Sequence, residues 1–335
     1  MNQKEIMRRY LGNPRQLAGI RRFVVDDDRA RGMRVFEVNN GSGLIFNVYP
    51  DRGMDIGEVF FNGRQLAWLT GSSAAAPAFY STGGNEWLRT WGGGLLTGCG
   101  YLNVGPAEGN EGLHGRLSHI PAGEVNSFAD YIDDSTFKLE VSGKVSHAKV
   151  FSENLLLKRT ISTINGINTI VIEDRIENLG FKTVPFMMLN HMNFGWPLID
   201  ENCRLESSSS CHEVIARNPR AAEGIDKWHI MEEPQPGFVE QVYFHQGEKA
   251  DADGMASMKI INKPAGLKVT VRRRLAELPL LTQWKQMGTG NYVLGLEPSN
   301  CKTDGVTAAE KAGELKYLQP QEVVNTRIEV CFEAI

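Results

Sequence analysis

Apolar residues recur at every second position through most of the chain, in short runs. MRVFEVNN (33–40), GLIFNVYP (43–50), TFKLEVSGKV (136–145), NLLLKRTIST (154–163), NTIVIEDRIEN (168–178), GLKVTVRR (266–273), NYVLGLEP (291–298) and TRIEVCFEA (326–334) all show this period, with β-branched or aromatic residues on the apolar side. Turn-forming stretches such as NNGSG, FNGR, INGIN and NLGFK lie between them at hairpin spacing. Helical periodicity is scarce. It predicts a helix over about residues 3–18, with Pro14 as an obstacle, and a short one in TAAEKAGEL (307–315). The pattern predicts an all-β chain, a large antiparallel β-sandwich with few short helices. It excludes a helical bundle and disfavours a doubly wound α/β fold, which needs long helices between its strands. The 335 residues read as one domain, with residues 1–39 an N-terminal extension packed on it. GSSAAAPA (71–78) reads as a surface loop, SSSSCHE (207–213) as a polar strand or loop, and 216–256 as long-looped.

Charge narrows the partners. Thirty-six Lys and Arg stand against 40 Asp and Glu, a net −4, so a nucleic-acid surface is not expected. The one basic run, Arg272-Arg273-Arg274, sits in an alternating stretch and reads as a solvated strand. No run approaches the roughly 20 apolar residues of a membrane helix. The first residues, MNQKEIMRRYLGNP, lack the apolar stretch of a secretory signal. Five cysteines (99, 203, 211, 301 and 331), an odd number with no CxxC pair, fit a reducing cytoplasm and buried thiols rather than a disulfide scaffold or zinc ribbon.

Three segments carry candidate chemistry. In the first, His114 stands in GLHGR (112–116), downstream of the glycine-rich WLRTWGGGLLTGCG (87–100). Either it is a histidine in a tight turn, or the glycines let the backbone approach a ligand. Gly92-Gly93-Gly94 lacks the Lys-Ser/Thr or GxGxxG context of a phosphate loop, and His114 and His119 have no third metal ligand at a diagnostic spacing, so neither nucleotide nor metal is expected. In the second, VPFMMLNHMNFGWP (184–197), a strand would put Met187, Leu189, His191 and Asn193 on one face and Phe186, Met188, Asn190 and Met192 on the other. His191 is then either a core histidine with one hydrogen bond or a group delivered to a pocket. In the third, NYVLGLEPSN (291–300), Val293, Gly295 and Glu297 share a face, Gly295 leaves room beside the carboxylate, and Pro298 ends the ladder. Glu297 is a rim charge or, if buried, a carboxyl with a raised pKa suited to general-base work.

Taken in order, these segments resemble the aldose 1-epimerase (galactose mutarotase) superfamily, and DRGMDI (51–56), WLRTWGGGLLTGCG, LHGR and YVLGLEPSN resemble more closely an uncharacterised mutarotase-like family. The resemblance spans roughly residues 40–335 and implies a β-supersandwich that binds a monosaccharide in its concave face, as a monomer or homodimer, without a cofactor. It implies Glu297 as catalytic base, His191 as general acid and His114 as the second active-site histidine. It further implies Arg89, Asn190, His245 and Trp284 as substrate-binding residues. His245 enters because the superfamily's sugar-binding aspartate has no match in QVYFHQGEKADADG (241–254). Trp284 is either a platform for the sugar ring or core packing. The implied activity is interconversion of the anomers of a free monosaccharide. A non-catalytic sugar-binding or sensing protein on the same sandwich is the alternative.

Overall fold

The computed structural model describes residues 3–209 and 212–335. All eight alternating runs are strands, within a set of 21 among the described residues. Two antiparallel sheets hold most of them. The larger has eleven strands, in the order Gly19–Val24, Arg34–Asn39, Leu44–Tyr49, Asp55–Phe61, Leu96–Tyr101, Met187–Phe194, Asn291–Ser299, Leu280–Gly288, Gln241–Gln246 and Glu213–Ala216, with Arg64–Gln65 added to Asp55–Phe61. The smaller has eight, in the order Arg204–Ser207, Met255–Asn262, Leu267–Arg274, Val323–Ala334, Ile167–Asn178, Asn154–Ile164, Phe137–Ala148 and Gly123–Tyr131. Val184–Pro185 and Tyr317–Leu318 make a small third pair.

The period-2 pattern explains the layering. Phe46, Leu96, Met192 and Leu296 from the large sheet and Val141, Ile161, Ile172 and Val330 from the small one belong to one core cluster, which runs from Ala18 to Phe332 along the chain. Phe61 and Phe332 meet across the layers with ring centres 6.0 Å apart. Arg159 and Asp174, both fully buried, pair at 2.6 Å on neighbouring strands of the small sheet. The central strands Leu96–Tyr101 and Met187–Phe194 are buried along their whole length, so the large sheet is covered on both faces there. Its far face carries a second cluster of Trp87, Trp91, Cys99, Val104, Met187, Leu189 and Cys301. Cys99, Cys203 and Cys301 are buried free thiols, while Cys211 lies outside the described residues. Among the described residues no helix is long and apolar enough to cross a membrane.

Local expectations are corrected in several places. The first helix covers only Gln3–Tyr10. Asn13 is extended before Pro14, as a residue preceding proline prefers to be, and caps a new turn at Pro14–Gln16. From Gly19 onward the 1–39 extension is built into the large sheet as its first two strands. Arg273 is not solvated: strand parity turns it inward, where Glu248 neutralises it and Leu278 O accepts from its Nε. The ladder also continues past Pro298, since Ser299 still pairs with Leu280 and Leu189. The missing proline N–H is tolerated because the carbonyl remains in use, accepting from Asn190 Nδ2 at 3.3 Å. Residues 216–256 are more ordered than a long loop, holding the helix Pro219–Glu223, the strand Gln241–Gln246 and the start of Met255–Asn262.

Candidate functional site

Register brings the site together. Thr97 pairs with His191, and Thr282 pairs with Glu297. Between them, the pairing of Leu189 with Ser299 and of Asn193 with Gly295 sets His191 opposite Glu297. Directly paired residues of antiparallel strands project to the same face, so Thr97, His191, Glu297 and Thr282 form a row across the far face of the large sheet. A pocket of about 400 Å³ opens there, lined by His114, His191, Arg217, Glu240, Trp284 and Glu297 together with Trp87, Trp91, Thr282 and Thr303.

His191 Nε2 lies 3.3 Å from Glu297 Oε1, and both side chains are almost wholly buried. Gly295 makes this placement possible, because a Cβ there would stand 2.6 Å from Glu297 Oε1 and 3.0 Å from the Cβ of Trp284. The room expected beside the carboxylate is therefore present. His114 enters from the loop side, at φ +58°, with its N–H on Gly105 O and its ring 5.7 Å from that of His191. Trp91, Trp284 and His114 box the His191 ring, with centres 5.0, 5.5 and 5.7 Å away. Trp284 donates from Nε1 to Glu240 Oε2 at 2.7 Å, so the indole is held upright in the pocket by a carboxylate.

The electrostatics follow from dryness. Burial pushes the Glu297 carboxyl well above the ordinary range; Glu240 adds to this and Arg217 opposes it. Burial holds the His191 imidazole well below its usual value, with His114 adding to the depression and a hydrogen bond to Asn193 opposing it. His114 is lowered to about 4 by burial and by Arg217. Burial thus favours the uncharged form of each group, a carboxyl that keeps its proton beside an imidazole that gives its own up.

Three of the candidate residues lie elsewhere. Arg89 is on the turn Glu86–Arg89, of which Trp87 and Leu88 face the pocket; its own side chain is 75% exposed and pairs with Glu86. Asn190 and His245 fail by strand parity. Asn190 is next to His191 and so faces the opposite side, where it holds Pro298 O. His245 also turns to that side, bonding Gln283 Oε1 at 2.9 Å and packing on Trp228 and His212. Sequence reasoning missed Arg217, which bonds Asp304 and Thr303 O beside the pocket, and Glu240. Glu240 stands one residue before the segment searched for a carboxylate, and Arg217 directly follows the strand Glu213–Ala216.

The family described as a domain of unknown function (DUF4432) has a model that matches residues 30–331. The chain belongs to this family. No curated protein matches it in sequence. Among solved structures, a Klebsiella pneumoniae protein provisionally described as an aldose 1-epimerase is similar, with TM-score 0.87 and 23% identity over 96% of this chain and 86% of that one. A galactose mutarotase-like protein from Clostridium acetobutylicum gives TM-score 0.65 and 14% identity, covering 96% of this chain and all (100%) of that one. The galactose 1-epimerase of Lactobacillus acidophilus gives 0.62 and 12%, covering 95% and 99%. At these identities the likeness is one of fold, and the family's fold is that of the galactose mutarotase-like β-sandwich.

Proposed function

We propose that the protein is an aldose 1-epimerase that interconverts the anomers of a free monosaccharide. The observation that carries the reading is the His191–Glu297 pair, an acid and a base 3.3 Å apart at the wall of a pocket of about 400 Å³, a volume typical of small-molecule sites. Ring opening needs one group to take the proton of the anomeric hydroxyl and another to protonate the ring oxygen. If Glu297 takes the first proton while His191 gives the second, the pair passes from carboxylate and imidazolium to carboxylic acid and neutral imidazole. Rotation of the freed aldehyde and the reverse transfers close the ring as the other anomer. Both ends of the cycle carry one proton on the pair. Charge attraction favours the first end and burial the second. The fold likeness to proteins described as aldose 1-epimerases supports this reading.

His114 and Glu240 supply hydroxyl partners, Arg217 a guanidinium, and Trp284 an apolar face for the ring. In this reading Glu240 does the work expected of His245, and Arg217 the work expected of Arg89. Polarimetry of freshly dissolved aldoses tests the proposal. It is expected to show faster decay of optical rotation, in proportion to protein, for at least one member of a panel of hexoses, pentoses and deoxy sugars. A decay equal to that in buffer across the panel overturns it.

A further inference from the structure

The DRGMDI segment takes no part in the chemistry above, yet it builds a second cavity. This cavity, about 220 Å³, is lined by Arg52, Asp55, Glu58, Ser73, the Gly92–Gly94 backbone and Thr97. Thr97 sits in the catalytic row, and its hydroxyl accepts the Trp91 indole N–H at 3.0 Å, so Trp91 and Gly92–Gly94 form the partition between the two cavities. The glycines are there to pack: a Cβ at Gly93 would lie 2.5 Å from Trp68 O, and one at Gly94 2.7 Å from Ile56 O.

The charged groups of this cavity are incompletely used by the protein. Arg52 is 4% exposed and Asp55 5%. Arg52 donates from Nη1 to Ala75 O at 2.9 Å, and Asp55 accepts from the Gly98 N–H at 2.8 Å. Among the described residues neither makes another side-chain hydrogen bond, and neither is in an ion pair. Arg52 and Asp55 attract each other across the cavity without bonding directly, and the remaining N–H groups of the guanidinium are left to face the cavity rather than sealed in protein. Glu58, in contrast, is occupied by Tyr49 Oη and Asn47 Nδ2.

We propose that the cavity bounded by Arg52, Asp55 and the Gly92–Gly94 partition is a second small-molecule site, and that it takes a neutral polyhydroxylated ligand. Hydroxyls satisfy both groups at once, accepting from the guanidinium and donating to the carboxyl oxygen. With Arg52 set against two acidic side chains, of which burial lifts Asp55 to about 7, the cavity has no net positive charge to hold an anion, and the small volume restricts the ligand to about the size of a single sugar or cyclitol. The proposal is separate from the anomer chemistry, because a ligand here meets the partition and not the His191–Glu297 pair.

The test is two-dimensional amide NMR of the full chain titrated with D-glucose, D-galactose and myo-inositol, with inorganic phosphate as a further arm. Saturable shifts at the Gly57, Glu58 and Ala75 amides are expected with at least one polyol. They are expected to vanish in Ser73→Trp, an exposed turn position at the cavity, while shifts at Leu113 and Thr303 in the first pocket persist. Arg52→Met is expected to lose the same shifts, and Ser73→Trp keeps the test valid if Arg52→Met fails to fold. Absence of saturable shifts at the three amides with every polyol, or shifts there with phosphate alone, overturns the proposal. A protein that binds polyols in this cavity and does not accelerate mutarotation refutes the proposed activity and leaves this inference standing.

Discussion

Replacing Glu297 by Gln should change how His191 titrates, and the size of the change follows from the geometry. Two unit charges 3.3 Å apart attract by about 5 kcal/mol at an effective dielectric constant of about 20. At about 1.4 kcal/mol per pKa unit, that is worth between three and four units to an imidazolium facing a carboxylate. Burial and His114 act on the ring in the other direction and are untouched by the substitution. In the wild type the pair should therefore share one proton across the neutral range, gaining a second in acid and losing the first in base. In Glu297→Gln the attraction is gone and only the depressing effects remain. The imidazole should stay neutral to well below the ordinary histidine value. Imidazole ¹⁵N shifts, followed from acid to base in both proteins, read this directly, because each ring nitrogen reports its own protonation. Identical His191 curves in the two proteins would refute the reasoning, since the shared proton would then rest on Glu297 and the imidazole would never carry the charge that ring opening requires of it.

Other expectations follow from the same geometry. Gly295→Ala places a methyl group 2.6 Å from the unperturbed position of Glu297 Oε1, so kcat should fall at least tenfold while sugar KM changes less. His114→Ala should raise KM as well as lower kcat, measured by steady-state polarimetry; a small, equal effect with lost thermal stability would mark His114 as a turn histidine only. Stability should decline on acidification from about pH 6.5. His114 and His147 are held to about 4, His245 to about 3 and His119 to about 2 by burial, so the unfolded chain binds more protons below 6.5. Each contributes up to about 1.4 kcal/mol per pH unit until its folded value is reached, while the raised Glu297 opposes the trend, and melting temperatures between pH 7 and 4 check the sign.

Much of this was legible in the alternation of apolar residues. Period 2 gives strands and faces, and it set His191 with Leu189 and Asn193, and Glu297 with Gly295, before any coordinates. Pairing between strands distant in sequence is what joins the two faces, and no local pattern reports it; the order of the motifs supplied that link through the resemblance. Parity could also have warned against Asn190, adjacent to His191 and so bound to face away. His245 failed for a subtler reason, since nothing within QVYFHQ says which of its two faces meets the pocket. Arg217 and Glu240 flank strand ends, where period and parity stop carrying information, and their place is set by Asp304, Thr303 and Trp284. Arg273 shows the converse: three arginines in a row look solvated until Glu248 is found waiting for the middle one.

The central claim is that the His191–Glu297 pair opens and closes a sugar ring. Proton exchange spectroscopy on an aldose at anomeric equilibrium tests it most directly, because it reads interconversion of the α and β signals without a product to remove. Wild-type protein should produce exchange cross-peaks that grow with its concentration. Glu297→Gln should lower that exchange by about 10²–10⁴-fold, the usual loss for a removed general base, while still broadening the sugar lines by binding. Equal exchange in the two proteins, or none above buffer with the wild type for any aldose it binds, would contradict the account.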